Sequence, residues 1–214
     1  EEELFNIVLK GNLEITETNP ADIVFILDRS ISMAGEIDGE KKIDIAKQAV
    51  KDIFKEICEY ADGKDYNYFR GGLVSFNHES VVNYSLYHIP DPTTSSYPKC
   101  EEYSSGGFSK IVDSLSACGC TSIASGIKDA IEKNFKGDLA CQDEKVKKII
   151  ILASDGKENF DPKLDDIKND TPNYITFYTI GTNPPQENAE KLKEIAYKWG
   201  TGQGIYYEAP IEDL

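Results

Sequence analysis

Two aspartates, two serines and a threonine stand where their side-chain oxygens could act together. Asp28, Ser30 and Ser32 occupy alternate positions directly after the apolar run DIVFIL, so a turning loop can aim three oxygens to one side. Thr121 stands just before a helical pattern that begins at Ser122, and Asp155 follows the run IIILAS. The set offers two carboxylates and three hydroxyls. Each residue alone has an ordinary use: Ser30 and Ser32 can cap a turn, Thr121 can belong to an N-cap region, and Asp155 with Gly156 can form a plain turn. Those uses do not explain why the residues gather at the ends of apolar strands, the place where open α/β sheets bind ligands.

The elements that must position them are legible as hydrophobic patterns. DIVFIL (22–27) is short, β-branched and apolar throughout, as expected of a central strand buried on both faces. From Lys41 to Tyr60, Ile45, Ala49, Ile53, Phe54 and Ile57 recur at helical spacing. GLVSF (72–76) and SVVNYSLY (80–87) read as a hairpin turned by Asn77, His78 and Glu79. Residues His88 to Gly107, rich in proline and serine, read as a long irregular insertion and a candidate binding loop. Helices are expected over Phe108–Leu115, Ser122–Phe135 and Glu187–Trp199, and strands over Lys145–Ala153, Tyr174–Ile180 and Gly204–Tyr207. This alternation predicts an α/β fold: a doubly wound, mostly parallel sheet with one antiparallel edge strand and helices on both faces. Residues 1–18, with strand-like LFNIVLKGNLEIT broken at Gly11, read as an extension or junction, and 19–214 as the domain proper.

At this point a resemblance can be stated. DIVFILDRSISM resembles the D-x-S-x-S motif of von Willebrand factor type A domains, CTSIASGIKDA their threonine loop, and ILASDGKEN their T-D-G segment, all three in the family's order. The resemblance implies a Rossmann-like fold carrying a metal-ion-dependent adhesion site. It assigns metal coordination to Asp28, Ser30, Ser32 and Thr121, and to Asp155 a carboxylate acting directly or through water. Three departures stand out: Ile31 replaces a frequent glycine, Ser154 a common threonine, and Cys118 and Cys120 flank Gly119 where Gly-Gly-Thr is frequent. None removes a metal-ligating side chain. An all-oxygen set also suits a small hard ion, which makes Mg²⁺ the first expectation, with Mn²⁺ able to substitute. Because hydroxyls are neutral, such an ion stays under-neutralised and attracts an acidic group from a protein partner. The segment ETNPADIVFILDRSISM is similar in style to A domains of Gram-positive surface and pilus-tip adhesins. That similarity implies an extracellular, cell-surface or cell-wall location and an extracellular-matrix or host surface protein as partner. An intracellular A domain serving as a scaffold in a multiprotein assembly is the alternative.

Composition excludes other classes. Against 38 Asp plus Glu there are 23 Lys plus Arg, a formal charge of −15, so a phosphate backbone meets a repulsive field and nucleic acid is not expected as a partner. No run approaches the ~20 apolar residues of a membrane-spanning helix, so direct membrane insertion is not expected. The start EEELF lacks the pattern of a signal peptide, and the closing IEDL reads as the first turn of a helix, as in a piece of a longer protein. No G-x-S-x-G, Walker loop or H-E-x-x-H is present, and the two histidines, His78 and His88, read as surface residues away from strand carboxyl ends. An enzyme is therefore not expected, and a metal-assisted hydrolase is the remote alternative. Of five cysteines, Cys58 reads as a buried helix residue that stays free, whereas Cys100, Cys118, Cys120 and Cys141 lie in or beside loops and could pair in disulfides. C-x-C at Cys118 and Cys120 lacks the usual spacing and His partner of a zinc site.

Overall fold

The apolar run after Pro20 becomes strand β3 (Ala21–Asp28), and all eight of its residues are buried. A strand can be buried on both faces only if layers cover both, and its side chains alternate between two cores. Ile23, Phe25 and Leu27 enter one, Val24 and Ile26 the other. The computed structural model describes residues 6–9, 13–16, 21–61, 69–86, 107–136 and 146–209. Ahead of β3, β1 (Asn6–Leu9) and β2 (Leu13–Thr16) form an antiparallel hairpin of their own.

The central sheet has six strands in the order β10-β9-β8-β3-β6-β7, with β6 at Phe69–Phe76, β7 at Ser80–Tyr84, β8 at Lys147–Ser154, β9 at Ile175–Thr182 and β10 at Tyr206–Ala209. All neighbours are parallel except β7, which runs antiparallel to β6 at the edge. On one face lie α1 (Lys42–Ala61) and α2 (Phe108–Ser114), where the Phe54 and Phe108 rings stack 4.0 Å apart. A side chain at Gly71 would come within 2.6 Å of Phe54, so glycine lets α1 sit close to β6. The other face carries α3 (Ile123–Asp129), continued as a π-helical stretch (Ala130–Phe135), with α4 (Leu164–Ile167) and α5 (Gln186–Lys198). The expected mostly parallel sheet with one antiparallel edge strand and helices on both faces is therefore the fold that forms.

Local differences have local causes. The single helix expected over Ser122–Phe135 widens after Asp129, and buried Asn134 there accepts a hydrogen bond from Leu86 N at 3.0 Å. The polar loop after Asp28 is structured: a 3₁₀ turn at Ile31–Ala34 leads into a small hairpin of β4 (Glu36–Ile37) and β5 (Glu40–Lys41). Asp38 and Gly39 turn it with positive φ, an Asp-Gly signal that the sequence does carry. The predicted insertion lies outside the described residues up to Gly107, and so do His88, Cys100, Cys141 and the closing IEDL.

At the amino end of the sheet, register places Asp22 opposite both Arg70 and Lys148. Its fully buried carboxylate accepts from Arg70 Nε and NH2 and from Lys148 Nζ. Removing one member of a buried ionic group strands the others, at a cost of about 3–5 kcal/mol. Asp22→Ala should accordingly lower unfolding stability by about that amount in urea titrations.

Candidate metal centre

At the carboxyl end of the parallel strands side-chain oxygens of several loops gather. Asp28 ends β3 and is fully buried; its Oδ1 accepts from Ser30 N at 2.8 Å and its Oδ2 from Ser154 Oγ at 2.6 Å. The departure from threonine at Ser154 thus keeps the hydroxyl that holds Asp28. That hydroxyl also accepts from Gly156 N at 2.9 Å, fixing the turn that carries Asp155. Ser30 Oγ and Ser32 Oγ lie 3.0 Å apart.

Thr121 is buried and held by its backbone. Its N donates to Asn159 Oδ1 at 2.9 Å, and its carbonyl accepts from Asn159 N at 3.0 Å and Phe160 N at 2.9 Å. Helix α3 is capped by Ser122, whose Oγ accepts from Ser125 N at 3.3 Å, so capping does not consume the Thr121 hydroxyl. The threonine loop is joined to the Asp28 loop by Cys118 N donating to Arg29 O at 2.7 Å and Ile31 N to Gly119 O at 3.0 Å. Gly119 has φ +77, and a Cβ there would lie 2.8 Å from His78 Nδ1. Glycine is required.

Asp155 is 3% exposed; its Oδ1 accepts from Lys157 N at 3.2 Å, and Lys42 Nζ lies 3.4 Å from its Oδ2. The structure thus links Asp28, Ser30, Ser32 and Asp155 through a shared set of contacts and pins Thr121 between their loops. Sequence reasoning missed Lys42, Asn77, Asn159 and Glu158. Glu158 accepts from Leu164 N at 2.9 Å and Ala124 N at 3.3 Å, tying α4 to α3, and burial raises its pKa against those bonds. The E-N pair after D-G-K was the available signal. The reading of His78 as distant from strand carboxyl ends is corrected: it follows the end of β6, is exposed, and its ring packs edge-on to Phe160 at 5.7 Å. Register was the cause, since β6 is parallel to β3 and ends on the same edge. Cys118 and Cys120 are free, exposed thiols, and Cys100 and Cys141, the other two cysteines of the disulfide expectation, lie outside the described residues. Arg29 NH1 and Asn77 Nδ2 each lie 3.5 Å from Cys118 Sγ.

The residues present fit a hard divalent cation. Burial pushes Asp28 from 3.8 up to about 7, hydrogen bonds from Ser154 and Ser30 pull it down, and the neighbouring Asp155 charge adds to the rise. Among the described residues Asp28 has no ion-pair partner, and an ion bound by these oxygens would supply the compensation.

A family model for the von Willebrand factor type A domain matches residues 22–210. The chain belongs to the von Willebrand factor type A family. This vWA chain is 29% identical over 195 residues to the uncharacterized protein YwmD of Bacillus subtilis (strain 168), covering 90% of the chain and 80% of that protein. Among solved structures it is similar to the conserved hypothetical protein BatB from Bacteroides thetaiotaomicron (TM-score 0.58, 17% identity, 88% of this chain, 90% of that one). It is also similar to proximal thread matrix protein 1 from the mussel byssus, a structure with a zinc-occupied MIDAS motif (TM-score 0.57, 17% identity). That match spans 92% of the vWA chain but 43% of the mussel protein. The vWA family often mediates metal-dependent protein interactions.

The raised Asp28 pKa has a signed consequence. Between 3.8 and about 7 the folded metal-free domain holds a proton that the unfolded chain has released. Stability from this group therefore falls as pH rises through that window, by up to ~1.4 kcal/mol per unit. Urea unfolding in a chelator should show this decline between pH 3.8 and about 7 in the parent and its loss in Asp28→Asn. An equal decline in both would assign it to other groups.

Proposed function

We propose that this vWA domain binds an acidic group of a partner protein through a divalent cation, Mg²⁺ in the first place, as part of a cell-surface adhesin. The observation that carries the reading is the buried Asp28 carboxylate, hydrogen-bonded by Ser30 and Ser154 and set beside a hydroxyl pair and a second carboxylate. Asp28, Ser30, Ser32 and Thr121 would hold the ion, with Asp155 adding charge. The bound ion would supply an under-neutralised positive centre for a carboxylate of the partner. An all-oxygen donor set favours Mg²⁺ or Mn²⁺ over softer ions; the zinc in the mussel protein's motif supports divalent binding at this kind of site.

The rim suits a protein ligand. Ile31, at the frequent glycine position, is 62% exposed, and Phe160 is 44% exposed. Both adjoin the threonine loop through backbone hydrogen bonds, so the polar centre has apolar borders of the kind protein interfaces bury. Binding without turnover is part of the proposal. Asp28 has both oxygens engaged, and Asp155 faces Lys157 N and the Lys42 ammonium, so neither is free to act as a general base. The cell-surface assignment rests on the similarity to Gram-positive adhesins.

Asp28→Ala should lose Mg²⁺ affinity by at least 100-fold in calorimetric titration, because hydroxyls alone do not offset dehydration of the ion. The fold should persist, since Asp28 is the last residue of β3 and its truncation leaves the apolar side chains of both cores in place. Thr121→Ala should weaken partner binding more than Mg²⁺ binding. Capture on an extracellular-matrix protein panel with Mg²⁺ and with EDTA checks the bridge: binding undiminished in EDTA or in Asp28→Ala would contradict it.

A further inference from the structure

Lys42 is the first residue of α1, and its backbone N donates to Gly35 O at 2.8 Å, which anchors the helix to the loop carrying Ser30 and Ser32. Its side chain does not run into solvent. The ammonium lies 3.4 Å from Asp155 Oδ2 and 3.4 Å from the carbonyl of Asn183, with the side chain only 15% exposed. Asn183, just past β9, has φ +47. Three separate segments therefore converge to hold one cationic group against the second carboxylate of the metal centre.

We infer that Lys42 is a specificity-determining residue of this centre: a tethered charge that weakens the hold on the metal and strengthens the grip on the partner's carboxylate. The inference rests on the proposed cation site and concerns its net charge. Asp28 and Asp155 together carry two negative charges against the two positive charges of a divalent ion, so the positive surplus that attracts an anion depends on what offsets them. With the Lys42 ammonium cancelling Asp155, the loaded centre keeps one positive charge, while the metal-free centre is less negative by one. Metal affinity and anion affinity consequently respond to Lys42 with opposite signs. A structural lysine that merely ties α1 to the Asp155 loop has no such consequence, since its loss loosens the site for metal and anion alike.

The test uses the whole chain, calorimetric Mg²⁺ titration, and acetate as the anionic probe, followed by protein NMR shifts at saturating Mg²⁺. Lys42→Met should bind Mg²⁺ about tenfold more tightly and acetate about tenfold more weakly, the size of effect a unit charge exerts within several ångströms of a partly screened site. Lys42→Arg, which keeps the charge, should stay near the parent in both. In EDTA, Lys42→Met should melt lower than the parent because Asp155 has lost its partner, and the gain in melting temperature on adding Mg²⁺ should be larger. Mg²⁺ affinity that is unchanged or reduced in a folded Lys42→Met, or both affinities moving in one direction, would overturn the assignment. A parent that binds no Mg²⁺ would instead bring down the cation-site reading itself, and Lys42 with it.

Discussion

Asp28 puts a carboxylate at the end of a strand whose every residue is buried, and such a group must be hydrogen-bonded, neutralised or protonated. Much of the surrounding structure answers that demand. Ser30 N and Ser154 Oγ bond its two oxygens, the Ser154 hydroxyl orders the turn bearing Asp155, and Asn159 beyond that turn holds Thr121. The bonds tie together the loop after β3, the segment after β8 and the loop before α3. The parallel registers of β3 with β6 and β8 bring those loops to one edge, and the helices that cover both faces exclude water from beneath them.

The two ends of β3 make an instructive contrast. Asp22 at the amino end is buried as completely as Asp28 at the carboxyl end, yet the fold treats them oppositely. Two cations of neighbouring strands close on Asp22, and that cluster belongs to stability. Around Asp28 the fold supplies hydroxyls, amides and a second carboxylate, and Lys42 pairs with Asp155. The fold neutralises one buried aspartate with its own side chains and leaves the other to hydrogen bonds, and burial raises the proton affinity of Asp28.

Legibility in the sequence followed the range of the interactions. The central strands were plain because continuous apolar runs such as DIVFIL and IIILAS have few other uses, and the alternation with helical periods carried the doubly wound architecture. The five candidate ligands could be picked out because their motifs occur in the family's order. What escaped was either short or distant. Helix α4 has four residues, too few for a period, and the β4–β5 hairpin hid within a polar stretch despite its Asp-Gly turn. Lys42 lies 113 residues from Asp155 and reads as an ordinary charged residue at a helix start. Asn159 and Glu158 look like solvent-facing polar residues until the folded loops meet. His78 was misplaced because the edge it occupies is set by strand direction, which no local pattern encodes.

In the proposed function, the oxygens of Asp28, Ser30, Ser32 and Thr121 together hold a divalent cation. The most direct measurement is anomalous diffraction from crystals of the chain grown with Mn²⁺, which shares the oxygen preference of Mg²⁺ and scatters anomalously. One strong peak is expected at the carboxyl edge of the sheet, bounded by the side chains of Asp28, Ser30, Ser32 and Thr121. A saturated crystal with no peak there, or with its only peak elsewhere, would contradict it.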